Sequence, residues 1–183
     1  GKLDPGISLD LIEAVDSTKS DQLIQLIEPH RPTGKTLDDY IDVLYGGNAR
    51  NGRNIFNSNS TAQCVRCHTM DDKPGAVGPS LQGIASKLTR EQILQALVEP
   101  SARLAPGYGS VNLTLSDGNT VSGILIEENE SELILKTSEA EPLKIPLKRI
   151  AKRVNIPSSM PNMGYVLTRR EIRDVVAFLA TQK

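Results

Sequence analysis

Tryptophan is missing from this sequence altogether, and aromatic residues make up only 3% of it. A core so poor in rings has room to gain packing from something that is not an amino acid. Histidine is nearly as scarce, with two in 183 residues, which leaves little for general-base work. There is no P-loop, no G-x-G-x-x-G after a strand and no convincing nucleophile beside a base, so nothing supplies substrate chemistry. An excess of either charge is also lacking. Twenty-one basic and 22 acidic residues give a formal net charge of −1, which argues against a general nucleic-acid binder. No apolar run approaches the length of a membrane-spanning helix. The opening GKLDPGISLDL has no basic stretch followed by an apolar core, so no signal peptide is read there. Such an opening is expected of a mature chain or of a piece of a longer one, and it leaves export open. What remains is a globular composition, 38% hydrophobic and 23% charged, in a length that suits one large domain or two small ones.

Both cysteines and one of the two histidines sit inside CVRCHTM, residues 64–70. Four readings compete for Cys64, Cys67 and His68. A structural disulfide over a two-residue spacer closes a tight loop and contributes little to folding. A thioredoxin-like redox pair normally follows a strand, and NIFNSNSTAQ does not read as one. Structural zinc needs four ligands, and beyond these three residues only distant His30 is on offer. Covalent haem accounts for the spacing itself. Residues three apart in a helical turn share a face, so both thiols can reach one edge of a haem and form thioethers with its vinyl groups. His68, immediately after, is then placed to ligate the iron, and C-x-x-C-H is a c-type haem attachment signature.

The flanking residues resemble class I cytochromes c. Residues 48–59, NARNGRNIFNSN, read as a mostly polar helix carrying Ile55 and Phe56, ending shortly before the motif. Gly78 to Leu81, GPSL, match the Gly-Pro-x-Leu segment that packs on the proximal haem face in such proteins. The resemblance implies that the Pro79 carbonyl accepts a hydrogen bond from the other ring nitrogen of His68, fixing its tautomer, with Leu81 in the same wall. It also implies a distal methionine just before a proline, ahead of a C-terminal helix. Met160-Pro161 fits that order, and the proline stiffens the loop. Met163 is the rival ligand and His30, in EPHRP, a more remote one. Met70 stands too close to His68 to cross to the other face. Residues 167–182, LTRREIRDVVAFLATQ, read as a strongly amphipathic helix, with Thr168 as N-cap, Glu171 as its capping-box partner, and Ile172, Val175, Val176 and Leu179 as the apolar stripe.

The stretch from His68 to Met160 is far longer than a compact cytochrome c needs. TREQILQALV, residues 89–98, is a helix capped by Thr89 and stopped by Pro100. The period then changes to two. Val111, Leu113 and Leu115 alternate with polar residues, Asp117-Gly118 signals a hairpin, and further short runs continue to Val154. Four or five antiparallel strands are expected. At the other end, residues 8–30 suggest two short helices broken near Ser17 to Ser20, and TLDDYIDVLYGG a third helix ending at Gly46-Gly47.

In this arrangement the chain resembles the c-type haem-binding domain of the Pirellula/Verrucomicrobium type. The stretches GGNARNGRNIF, CVRCH, VGPSLQGIASKLTREQILQALVEPSARLAPGY, the strand-rich segment, and SSMP with LTRREIRDVVAFLA carry the likeness over residues 46–181. The expected fold is α+β, an all-α class I cytochrome c core (residues 46–106 and 157–183) with an inserted small antiparallel β-sheet or SH3-like barrel (107–156). Residues 1–45 are expected to be a helical extension or linker. The resemblance implies one covalent haem c per chain, held by Cys64, Cys67, His68 and Met160 against Pro79 and Leu81. It implies an electron-transfer domain rather than an enzyme, in a periplasmic or exported protein. A redox partner or a fused dehydrogenase domain would supply its electrons. The alternative is a haem sensor or peroxidase-like domain with a labile sixth ligand.

Overall fold

A computed structural model describes residues 3–33, 36–71, 73 and 77–183 of the chain. It is an α+β protein of helices and one five-stranded antiparallel sheet. Helix α1, Pro5–Thr18, starts at Asp4, whose carboxylate accepts the Gly6 N–H at 2.7 Å, and proline fills its first turn. It stops where Lys19 turns left-handed. Helix α2, Asp21–Ile27, follows the polar break at Ser20. Arg31 clamps the pair, bonding Asp16 on α1 and, at 2.7 Å, Glu28 at the end of α2.

The third expected helix is present in a tighter form, a 3-10 helix over Leu37–Val43 that ends before the glycines. Its i, i+3 spacing explains the choice. A three-residue turn stacks Leu37, Tyr40 and Val43 on one face, and the last two are buried. Gly46 and Gly47 then carry the chain round with φ of +76° and +85°.

Helix α3, Ala49–Ser58, is capped by the Asn48 side chain. Helix α5, Arg90–Val98, and helix α6, Arg169–Leu179, each begin with a capping box, Thr89 with Gln92 and Thr168 with Glu171. Short helix α4, Ile84–Lys87, falls between α3 and α5 in the chain, at a place where four residues show no period. All eight residues from Ile172 to Leu179 are buried, so α6 is the central element of the helical layer. Its crossing with α3 is close because Gly52 has no side chain. A Cβ there would stand 1.9 Å from the Asp174 carbonyl oxygen. Phe56 and Phe178 meet beside the crossing with ring centroids 5.8 Å apart.

Strands β1 (Ser110–Leu115), β2 (Thr120–Glu128), β3 (Glu132–Lys136), β4 (Leu143–Pro146) and β5 (Ile150–Asn155) form a sheet in the order β4-β3-β2-β1-β5. Gly118 makes the β1–β2 turn with φ of +85°, as an Asp-Gly hairpin requires. Alternate residues Val111, Leu113, Leu115, Leu125, Leu133, Leu135 and Ile145 bury one face, with Leu104 closing it. This core is separate from the helical one, which gathers Val43, Phe56, Leu94, Met163, Ile172 and Val176 among others. The two ends of the sheet segment are neighbours. Val111 pairs with Asn155, and the Ile156 N–H donates to the Ser110 carbonyl at 2.9 Å. A segment whose ends touch adds a sheet to the helical layer without stretching it.

Helix α1 is docked on this core. Leu9 of α1 is buried within the helical core. Arg173 of α6 reaches Asp10 at 2.9 Å, and Arg170 bonds both Asp10 and Glu13. Arg169 bonds Asp42 and covers the Tyr40 ring at 4.6 Å.

Candidate functional site

After α3 the chain turns at Asn59, whose side chain accepts the N–H groups of Thr61 and Ala62 at 2.9 and 2.8 Å. Gln63 is left-handed, with φ of +46°, and Cys64–Arg66 forms one 3-10 turn. The Cys67 and His68 N–H groups both donate to the Cys64 carbonyl, at 3.2 and 3.0 Å. The motif is thus one closed turn. Both cysteines are free thiols and half-buried.

His68 is held from two sides. Its Nδ1 lies 2.9 Å from the Pro79 carbonyl oxygen. A carbonyl can only accept, so Nδ1 carries the proton and Nε2 keeps its lone pair for a metal. Gly78 packs flat against the ring, where a Cβ would stand 2.9 Å from Cε1 and 3.0 Å from Nδ1. The segment bearing these residues is stitched to the motif by the Gly78 N–H to the Cys67 carbonyl, 3.1 Å, and the Leu81 N–H to the Thr69 carbonyl, 2.9 Å. The glycine in GPSL therefore has a reason that the four letters alone do not reveal: the imidazole lies where its side chain would be.

Cys64, Met70, Leu81, Ile84, Leu88, Met160 and Val166 are among the apolar residues that lie half-buried against the helical core. Met160 and Met163 differ sharply. Met163 is 3% exposed, in a 3-10 turn capped by Asn162. The next residue, Gly164, lies against the Tyr40 hydroxyl, 2.1 Å from where a Cβ would be. Met160 stays half-buried on the loop before it, and its N–H donates to Ser158 Oγ at 3.1 Å. Met70 also packs on this core, and it lines a cleft of about 270 Å³ with Arg53, Asn57, Phe178 and Gln182. His30 is exposed at the end of the 3-10 turn after α2.

The donor set can be tested against each chemistry. Burial pushes the Cys64 thiol up, and neighbouring Cys67 adds to it. A thiol-exchange nucleophile needs the opposite shift. Among the described residues, no group of three or more His, Cys, Asp or Glu side chains comes together to hold a metal ion, and a structural zinc needs four. Two free thiols on one turn and an imidazole with Nε2 left over fit a haem.

Asp174 is the supporting residue that sequence reading overlooks. It is buried, and its carboxylate accepts the Asn48 N–H at 2.7 Å and the Asn51 side-chain amide at 2.6 Å. It thereby locks the start of α3 onto α6. As an aspartate within RREIRD it reads only as the polar side of an amphipathic helix.

Among the described residues no helix is long and apolar enough to cross a membrane. No curated protein matches the chain. Residues 47–119 match the family model described as cytochrome C oxidase, cbb3-type, subunit III. The matched span opens at the glycine before α3, takes in CVRCH, GPSL and α5, and ends in the first hairpin of the sheet. The match covers less than half of the chain and supports a c-type cytochrome domain there, a kind of domain that implies covalent haem c and electron transfer.

Proposed function

We propose that the domain holds one haem c through thioethers at Cys64 and Cys67, with His68 Nε2 and the Met160 sulfur as axial ligands. When bound, the haem supplies a one-electron iron couple, and a thioether opposite an imidazole raises its potential. The protein's part is to hold those two donor atoms still. The Pro79 carbonyl fixes the His68 tautomer and makes the imidazole a better donor. Leu81 supplies apolar wall beside it.

The observation that carries the choice of sixth ligand is the contrast in burial between the two methionines. Met163 is spent on the core, whereas Met160 is only half-buried against it. In the same reading residues 46–106 and 157–183 are the haem core, 107–156 an inserted subdomain and 1–45 a docked extension. The domain relays electrons from a dehydrogenase domain or partner to an acceptor in an exported or periplasmic setting. The likeness to the Pirellula/Verrucomicrobium type supports that placement.

Optical spectra after expression with haem-maturation machinery test the reading. The ferric protein is expected to show the weak long-wavelength band of sulfur–iron ligation. Met160→Ala loses that band and keeps the c-type reduced spectrum. Met163→Ala keeps the band and instead loses about 2–5 kcal/mol of stability, as buried methionine truncations do. A c-type spectrum without the band in the parent protein would replace this reading with an open iron and a sensor role.

A further inference from the structure

The segment EPSARLAPGY, residues 99–108, belongs to neither the helical layer nor the sheet, yet it bonds to both and to the Met160 loop. Glu99 accepts the Leu37 N–H at 2.9 Å. Leu104 is buried in the sheet core, with Gly109 so close that a Cβ there would stand 2.4 Å from Leu104 Cβ. Ser101 Oγ accepts the Ser158 N–H at 3.0 Å, across 57 positions of sequence. Ser158 Oγ in turn accepts the Met160 N–H.

These bonds lead from the end of the β1–β5 ladder to the Met160 loop. The pairing of Val111 with Asn155 is followed by the Ile156 N–H to the Ser110 carbonyl, then Ser158 to Ser101, then Met160 to Ser158. We propose that Ser101 and Ser158 are positioning residues for the sixth ligand, and that the sheet serves as a rigid stem holding the Met160 loop in register. This inference rests on Met160 being the ligand.

The physical argument is one of competition. A loop methionine binds iron against solvent and added ligands, and its apparent affinity falls with every conformer in which the loop is free. Two half-buried hydrogen bonds in series remove such conformers. Breaking either bond releases the same backbone, so the two deletions are expected to be non-additive.

The experiment is titration of the ferric holoprotein with imidazole, following loss of the sulfur–iron band. Ser101→Ala and Ser158→Ala are each expected to bind imidazole about fivefold more tightly than the parent, the equilibrium weight of one net hydrogen bond. The double variant is expected to exceed the tighter single by less than that factor. Ser101→Thr keeps the hydroxyl and is expected to titrate like the parent. Asp117→Ala, at the far turn of the sheet, controls for general loosening and should leave the affinity unchanged. Parent-like titration of Ser101→Ala, or an equal gain in Asp117→Ala, would overturn the proposal. A Met160→Ala protein that keeps the band would instead overturn the ligand assignment on which it rests.

Discussion

Gly78 has no side chain because His68 occupies the space one would need. Alanine there would bring a methyl within 2.9 Å of the ring. Either the ring or the GPSL segment must move, and the Nδ1 bond to the Pro79 carbonyl goes with it. Gly78→Ala is expected to cost about 1–3 kcal/mol, the usual range for overpacking a filled site. It is also expected to shift the His68 ring signals in the paramagnetic NMR spectrum. Gly83 is the comparison, with φ of +66° and nothing within 4 Å of where a Cβ would stand. Gly83→Ala is expected to cost about 1–2 kcal/mol for its left-handed backbone alone, with the His68 signals unmoved. Equal shifts in both variants would mean that Gly78 acts on the fold and not on the ring.

At the scale of elements, α6 is the member against which the others are arranged. Gly52 and Asp174 set α3 on one side of it, and its arginines set α1 and the 3-10 helix on another. The α1 contact is ionic and responds to pH. The Arg173 hydrogen bond holds the Asp10 carboxyl below its ordinary range, against some desolvation, with Arg170 adding to the lowering. A carboxyl whose folded value is lowered stabilises fully above its unfolded value, near pH 4. That stabilisation is lost as the pH falls through the lowered folded value. Hydrogen exchange in α1 is therefore expected to quicken below about pH 4 before α3 or α6 opens, and Asp10→Asn to remove the pH step. An α1 that exchanges together with α6 at every pH would show that Leu9 packing, not the arginine pairs, governs docking.

At the scale of the whole molecule, two cores share one chain and the sheet hangs from the helical layer by adjacent strands. Bringing chain ends together costs little when they are already hydrogen-bonded neighbours. Replacing residues 111–155 by a tight two-residue turn is therefore expected to leave a helical protein that still attaches haem at Cys64 and Cys67. Its sulfur–iron band is expected to be easier to displace. Circular dichroism and the reduced spectrum check the first expectation, and the imidazole titration the second. Loss of helical structure on excision would show that the helical layer depends on the sheet for folding.

Much of this molecule is determined locally, and that part was legible. Thr168 and Glu171, three positions apart, make a capping box, and so do Thr89 and Gln92. An Asp-Gly pair between alternating apolar runs turns a hairpin, and the β1–β2 turn stands at Asp117-Gly118. CVRCH closes on itself in one turn, as residues three apart in a helical turn do. The 3-10 form of Leu37–Val43 was not legible, since a seven-residue run with i, i+3 burial looks the same as a short α-helix until its neighbours are known. Nor were Asp174, Gly52, or the Ser101–Ser158 bond, whose partners are 57 positions apart or more. The difference in burial between the two methionines also waited for the fold. Met160 and Met163 have the same side chain three positions apart, and only packing against α5, α6 and Tyr40 buries one and leaves the other half-buried. Sequence determines what depends on a few neighbouring residues and their chemistry; burial and long-range bonding belong to the tertiary structure, because they depend on what the rest of the chain brings near.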